Sequence, residues 1–169
     1  KALLRVGGES FLARAARTAR EAGIERVVLV VPPGLSAAEP HAIVVVNADA
    51  DAGPAASLRL GLSAAGDVEA ALAWPVDHPL VRARTVLRVI DAWRKGRAAA
   101  VVPTFRGRGG HPTLFARALF ADLVALGAKE GAREVLRRHA AEVVRLEVDD
   151  EGVVADVDTP EDLAKLSPT

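Results

Sequence analysis

Apolar and polar positions alternate along the chain between short unbroken hydrophobic runs and stretches with helical spacing. Buried strands joined through amphipathic helices leave this pattern. "ALLRV" followed by Gly-Gly predicts a short strand and a turn. Ser10 then caps a helix whose apolar face is Phe11, Leu12, Ala15, Ala16, Ala19 and Ala22, with Arg14, Arg17 and Arg20 outward. Gly23 stops it, "RVVLVV" is a buried strand ended by Pro32-Pro33, and "AIVVVN" is a second. Gly53-Pro54 opens the next helix, since proline is tolerated in a first turn. "AALAWPV" is the third strand; Val86, Val89, Ile90 and Trp93 mark a helix over Thr85–Lys95, and "AAAVVP" is the fourth strand. After the Gly-rich basic loop "TFRGRGG" and a short strand in "HPTLF", helices are predicted over Ala116–Leu126 and Gly131–His139. "EVVRLEV" and "VVADV" read as strands around the polar turn "DDEG", and "TPEDLAKL" as a closing helix.

These elements predict an α/β fold of three layers, α/β/α, around a mostly parallel sheet in one domain over residues 1–169. Open sheets of this kind bind ligands outside the carboxyl ends of their strands. Asn47, Asp77 and Asp158 all fall at such ends.

Composition narrows the chemistry. The 22 basic and 22 acidic residues cancel, which argues against a surface-wide attraction to nucleic acid or acidic membranes. Cysteine is absent, so neither a disulfide framework nor a thiolate metal site is available. No apolar run approaches the ~20 residues of a membrane helix, and the start carries no secretory signal. The expected setting is therefore the cytoplasm. The chain begins with Lys1 and holds no methionine, so it is expected to be part of a longer gene product.

Two carboxylates brought to one rim from distant parts of the chain suit a hard divalent cation such as Mg²⁺, which takes oxygen ligands and completes its shell with water and phosphate. Asp77 can alternatively be a turn aspartate before a proline. "DTPED" can equally be a helix start, with Asp158 or Thr159 as cap, and Asp156 competes with Asp158 for the ligand role. "GPAASLRLGL" places Ser57 and free backbone N–H groups at a helix start, open to an anion or a base edge or simply capped. "FRGRGGHP" offers Arg106, Arg108 and a flexible backbone to an acidic or phosphorylated ligand, or is a solvated surface loop; His111 can donate a hydrogen bond to substrate or be a turn histidine before Pro112. The four histidines lack zinc spacing, and neither GxxxxGK nor GxGxxG occurs.

In order along the chain, "KALLRVGGESFLARAARTAREAGIERVVLVV", "NADADAGPAASLRLGL", "VDHPLV", "GRGGHPTLF" and "DVDTPEDL" resemble the MobA-like nucleotidyltransferases, and within them the molybdenum cofactor cytidylyltransferase branch. The resemblance implies the Rossmann-like fold of the nucleotide-diphospho-sugar transferases. It implies Mg²⁺-dependent transfer of a nucleoside monophosphate from CTP or GTP to a phosphate-bearing pterin, releasing pyrophosphate, with CTP favoured. By matching position, Asp77 and Asp158 become metal ligands and Lys1 the cation on the triphosphate. Asn47, Gly53 and Ser57 fall in the nucleotide segment, and Arg108, Gly110 and His111 in the acceptor segment. A partner enzyme receiving the finished cofactor in a transient encounter is also implied.

The chain departs from the family pattern twice. The family's Leu-Ala-Ala-Gly loop running through Arg to the lysine is not among these 169 residues and is expected ahead of Lys1, and His78 stands where Gln or Met is usual. "GPAAS" is moreover similar to the guanylyl branch's Gly-Pro segment. Two rival readings are an NAD(P)-dependent oxidoreductase and a nucleotide-binding domain without catalysis.

Overall fold

The computed structural model describes residues 4–6, 8–35, 39–49, 53–127, 130–157 and 162. The chain opens with a hairpin of β1 (Arg5–Val6) and β2 (Glu9–Ser10). Helix α1 (Phe11–Glu21) starts where Ser10 Oγ accepts the Ala13 N–H at 3.1 Å, and the chain leaves it through Gly23 at φ 77°. Phe11, Leu12, Ala16 and Ala19 form its buried face. Strands β3 (Val27–Val31) and β4 (Ala42–Val46) run parallel, paired from Val27↔Ala42 to Val31↔Val46. Helix α2 (Pro54–Ala65) begins with proline in its first turn.

The second sheet contains β5 (Ala70–Ala73), β6 (Ala100–Phe105), β7 (Arg108–Gly109), β8 (Thr113–Ala116) and β9 (Val143–Glu147). Helix α3 (Ala83–Gly96) crosses from β5 to β6, while α4 (Phe120–Val124) and α5 (Ala132–Arg138) lie between β8 and β9. β8 is antiparallel to both β5 and β6, and β9 is parallel to β6, so β5, β6 and β9 all point the same way.

The expected mostly parallel sheet is thus corrected to a mixed one. Its cause is local. A parallel return from β6 to β8 needs a crossover of a dozen or more residues, and the seven residues from Arg106 to Pro112 are too few. The loop "FRGRGG" instead closes as a hairpin, with β7 antiparallel to the end of β6. "VVADV" is not a strand either: Glu151–Val153 form a 3₁₀ turn and the chain runs on irregularly to Val157. The predicted closing helix lies almost wholly outside the described residues.

Strand alternation assigns the layers. Ala71, Ala100 and Phe115 pack with α2, α4 and α5 through Ala55, Leu62, Leu123 and Val135. Leu72, Val101 and Leu114 face the other way, onto Val89 and Trp93 of α3. The sheet is therefore covered on both faces, as three layers require. Each fully buried Val, Leu or Phe contributes about 1.5–3 kcal/mol of burial energy. No helix among the described residues is long and apolar enough to cross a membrane.

Candidate functional site

The carboxyl ends of β5, β6 and β9 and the amino end of β8 share one rim, because β8 runs against its neighbours. Asp77 and His78 follow β5, His111 and Pro112 lead into β8, and Asp150 lies just beyond β9. The register Ala73↔Thr113 sets the end of β5 beside the start of β8. His78 and His111, 33 positions apart in sequence, therefore meet.

Asp77 sits in a turn where His78 N–H donates to Pro75 O at 3.2 Å and Trp74 Nε1 donates to His78 O at 3.0 Å. Its own carbonyl accepts the Val157 N–H at 2.8 Å. Its side-chain Oδ1 is shielded from solvent and has no hydrogen-bond partner among the described residues. His78 Nε2 stands 3.8 Å from that oxygen, beyond hydrogen-bond reach. A shielded carboxylate oxygen with unused lone pairs is costly unless something fills it, and a hard cation taking oxygen ligands fits it.

His78 is buried and packs on His111, with ring centroids 4.8 Å apart. The chain reaches His111 through Gly110, whose N–H donates to Pro103 O, and the His111 N–H donates to Val153 O, both at 2.8 Å. The His111–Pro112 peptide is cis. Burial, followed by the neighbouring His78, pushes the His111 imidazole down to about 4; Asp77 and the Ala73 carbonyl pull it upward, and Arg133 adds to the fall. The ring is neutral at pH 7, and its Nδ1 is shielded from solvent and hydrogen-bonded to nothing among the described residues.

Asn47, at the end of β4, is buried and holds its own loop: Oδ1 accepts the Asp49 N–H and Nδ2 donates to Ser57 Oγ, both at 3.1 Å. The structure thus brings Asn47 and Ser57 together, with Asn47 orienting the hydroxyl. Gly53 takes φ 81°, which favours glycine, and precedes α2 without a side-chain cap. Backbone N–H groups of the first turn are left there for an anion or a polar edge.

Arg108 lies on the exposed β6–β7 hairpin and does not join the contacts linking Asp77, His78 and His111. Glu147 stiffens that hairpin by accepting Thr104 Oγ1–H at 2.5 Å and Arg106 N–H at 2.7 Å. Gly110 has a packing duty: a Cβ there would lie 2.1 Å from Val153 O. Asp156 is exposed. Lys1 and Asp158 lie outside the described residues.

Sequence reasoning missed His78 as the neighbour of His111, and it missed Asp150 altogether. The doubled "DD" before Glu-Gly read as a turn, and nothing local signals a partner 68 residues away.

The chain is similar to known proteins over nearly its whole length. It is 30% identical over 178 aligned positions to nicotine blue oxidoreductase of Paenarthrobacter nicotinovorans, covering 98% of this chain and 87% of that protein. The structure of Rv0371c from Mycobacterium tuberculosis H37Rv in complex with manganese is 26% identical, with a TM-score of 0.81, covering 98% and 90% of the two chains. A likeness of fold extends to 2-C-methyl-D-erythritol 4-phosphate cytidylyltransferase from Thermus thermophilus, at 24% identity and a TM-score of 0.74, covering 98% and 90%. Residues 1–143 match the family described as the MobA-like NTP transferase domain. The chain belongs to that family.

Proposed function

We propose that the protein is a divalent-metal-dependent nucleotidyltransferase. It moves a nucleoside monophosphate, CMP in preference to GMP, from the triphosphate to a phosphorylated acceptor, a phosphate-bearing pterin of the molybdenum cofactor type. The observation that carries this reading is Asp77 Oδ1: an unpartnered, shielded carboxylate oxygen at the carboxyl end of β5, in a chain of this family.

Asp77 and Asp158 are the residues that would hold Mg²⁺, and its charge, when bound, would lower the repulsion between triphosphate and acceptor phosphate. In the reaction an acceptor phosphate oxygen forms a bond to the α-phosphorus while the bond to pyrophosphate breaks, so no covalent enzyme intermediate is needed. The chain's part is to position and to offset charge. The first turn of α2 and the Ser57 hydroxyl receive the nucleotide, and Lys1 steadies its phosphates. His111, kept neutral, offers a hydrogen bond to the acceptor without adding a positive charge, and Arg108 meets the acceptor's phosphate at the mouth.

Calorimetric titration of the full-length protein with CTP and GTP, with and without Mg²⁺, tests this reading. Binding that needs Mg²⁺ and vanishes in Asp77→Ala is expected, followed by pyrophosphate release once the pterin phosphate is added. Undiminished Mg²⁺-dependent binding in the variant would remove Asp77 from the site.

The curated relative that bears the name nicotine blue oxidoreductase favours a second reading, an NAD(P)-dependent oxidoreductase acting on a dye. The 169 residues contain no GxGxxG to cradle a dinucleotide. Loss of NAD(P)H absorbance on adding the dye would support this reading over nucleotidyl transfer.

A further inference from the structure

Asp150 is a carboxylate with 2% of its surface exposed, outside the group formed by Asp77, His78 and His111. Its Oδ2 accepts the Arg82 N–H at 3.0 Å and the Thr85 hydroxyl at 2.6 Å, and its Oδ1 accepts the Gly152 N–H at 3.2 Å. Arg82 is the residue before α3, and that helix has no side-chain cap from its own neighbourhood and no acid in its first turn. Asp150 supplies both from the far side of β9. Buried Thr85 and two backbone amides aimed at one carboxylate form a built arrangement, because charge-assisted hydrogen bonds of this kind are the stronger ones.

The segment that Asp150 holds does more than cap a helix. Gly152 presses on the backbone after His78 so closely that a Cβ would lie 2.5 Å from Leu80 O. Next in sequence, the Val153 carbonyl receives the His111 N–H at 2.8 Å, and Val157 N–H then reaches Asp77 O at 2.8 Å. Residues 150–157 therefore form a strap with one end fixed on α3 and two hydrogen bonds to the peptide units of Asp77 and His111.

We infer that Asp150 is a positioning residue: it anchors this strap, and through Val153 and Val157 it fixes the mutual placement of Asp77 and His111. The inference rests on the proposed function only in treating those two residues as the site, and its direct readout is independent of catalysis. In Asp150→Asn the amide oxygen can still accept from Arg82 and Thr85, whereas the NH₂ group now opposes the Gly152 N–H. The bonds that tie residue 150 to α3 survive, and what is lost is the turn closed on the Gly152 N–H, which directs the next carbonyl, that of Val153, toward His111.

The test is amide hydrogen exchange followed by NMR on the full-length protein, beside manganese–nucleotide titration. Expected in Asp150→Asn is a drop of about tenfold or more in protection of the His111 and Val157 amides. Amides of β6 and β9 should keep theirs, and affinity for the manganese–CTP complex should fall by a similar factor. Thr85→Val, which removes the 2.6 Å bond and leaves the carboxylate, should give a smaller drop at the same two amides, and it carries the test if Asp150→Asn does not fold. Wild-type protection at His111 and Val157 in a folded Asp150→Asn, or in Thr85→Val in its place, overturns the inference. Absence of manganese–CTP binding in the wild type defeats the nucleotidyltransferase reading instead, and the exchange result still decides the role of Asp150.

Discussion

Replacing Gly110 by alanine should destabilise the protein by about 2–4 kcal/mol, a large effect for one methyl group. The added Cβ would lie 2.1 Å from Val153 O, 2.5 Å from its carbonyl carbon and 3.0 Å from its Cβ. These are mostly backbone atoms, so no side chain can swing aside. Reaching ordinary contact at 3.4 Å requires a retreat of about 1.3 Å, which carries the Val153 carbonyl beyond the ~3.5 Å limit of its bond to the His111 N–H. Overpacking of this kind costs about 1–3 kcal/mol, and the lost hydrogen bond adds about 1 kcal/mol. Urea unfolding monitored by circular dichroism reads the total through the midpoint at constant slope, and Tm should fall by about 5–15 °C. Gly96→Ala is the control: Gly96 ends α3 at an ordinary φ with nothing within 4 Å, so alanine should stabilise by about 0.5–1 kcal/mol. A Gly110→Ala protein within about 0.5 kcal/mol of wild type would refute the close approach of the two segments.

Asp77→Asn should keep the fold, because the Val157 bond goes to the backbone carbonyl, yet lose metal-dependent nucleotide binding; calorimetry with and without Mg²⁺ checks both. The folded His111 ring titrates at about 4, below its unfolded value, so its neutral form adds stability that is complete above about pH 6.5 and disappears as pH falls through 4. Denaturation curves across that window should slope downward toward acid, and His111→Gln should flatten them. His139 behaves oppositely: its 2.6 Å bond to Asp122 raises its pKa, so its contribution is present below about pH 6.5 and lost as pH rises through the folded value. NMR titration should find His139 above and His111 below the ordinary imidazole value, with Asp122→Asn returning only His139. Phe115→Ala, at a site 1% exposed among α2, α4 and α5, should cost about 3–5 kcal/mol in urea unfolding.

Local signals carried much of the architecture. Ser10 capping α1, the 3–4 spacing of Val86, Val89, Ile90 and Trp93, and the Gly53–Pro54 helix start all act within one turn of the chain, and each appears where its chemistry requires. Asp77 stood out because an apolar strand runs directly into it. Direction and partnership of strands were less legible. "HPTLF" and "AAAVVP" are equally hydrophobic whether parallel or antiparallel, and only the short connection between them decides. "VVADV" has the period of a strand, but its Val153 carbonyl and Val157 amide bond to His111 and Asp77 rather than to a neighbouring strand. Nothing in the sequence linked His78 to His111, since their ring contact depends on the alignment of β5 with β8.

The cap on α3 comes from a residue synthesised 68 positions later. At ribosomal speeds of about 5–20 residues per second, roughly 3–14 s separate the emergence of the two ends of that bond. Helix α3 must wait that long, with its first turn unsealed, for the carboxylate that closes it. The loops bearing Asp77 and His111 are tied together by the same late segment, so on a nascent chain the rim that carries them would mature only after the sheet beneath it.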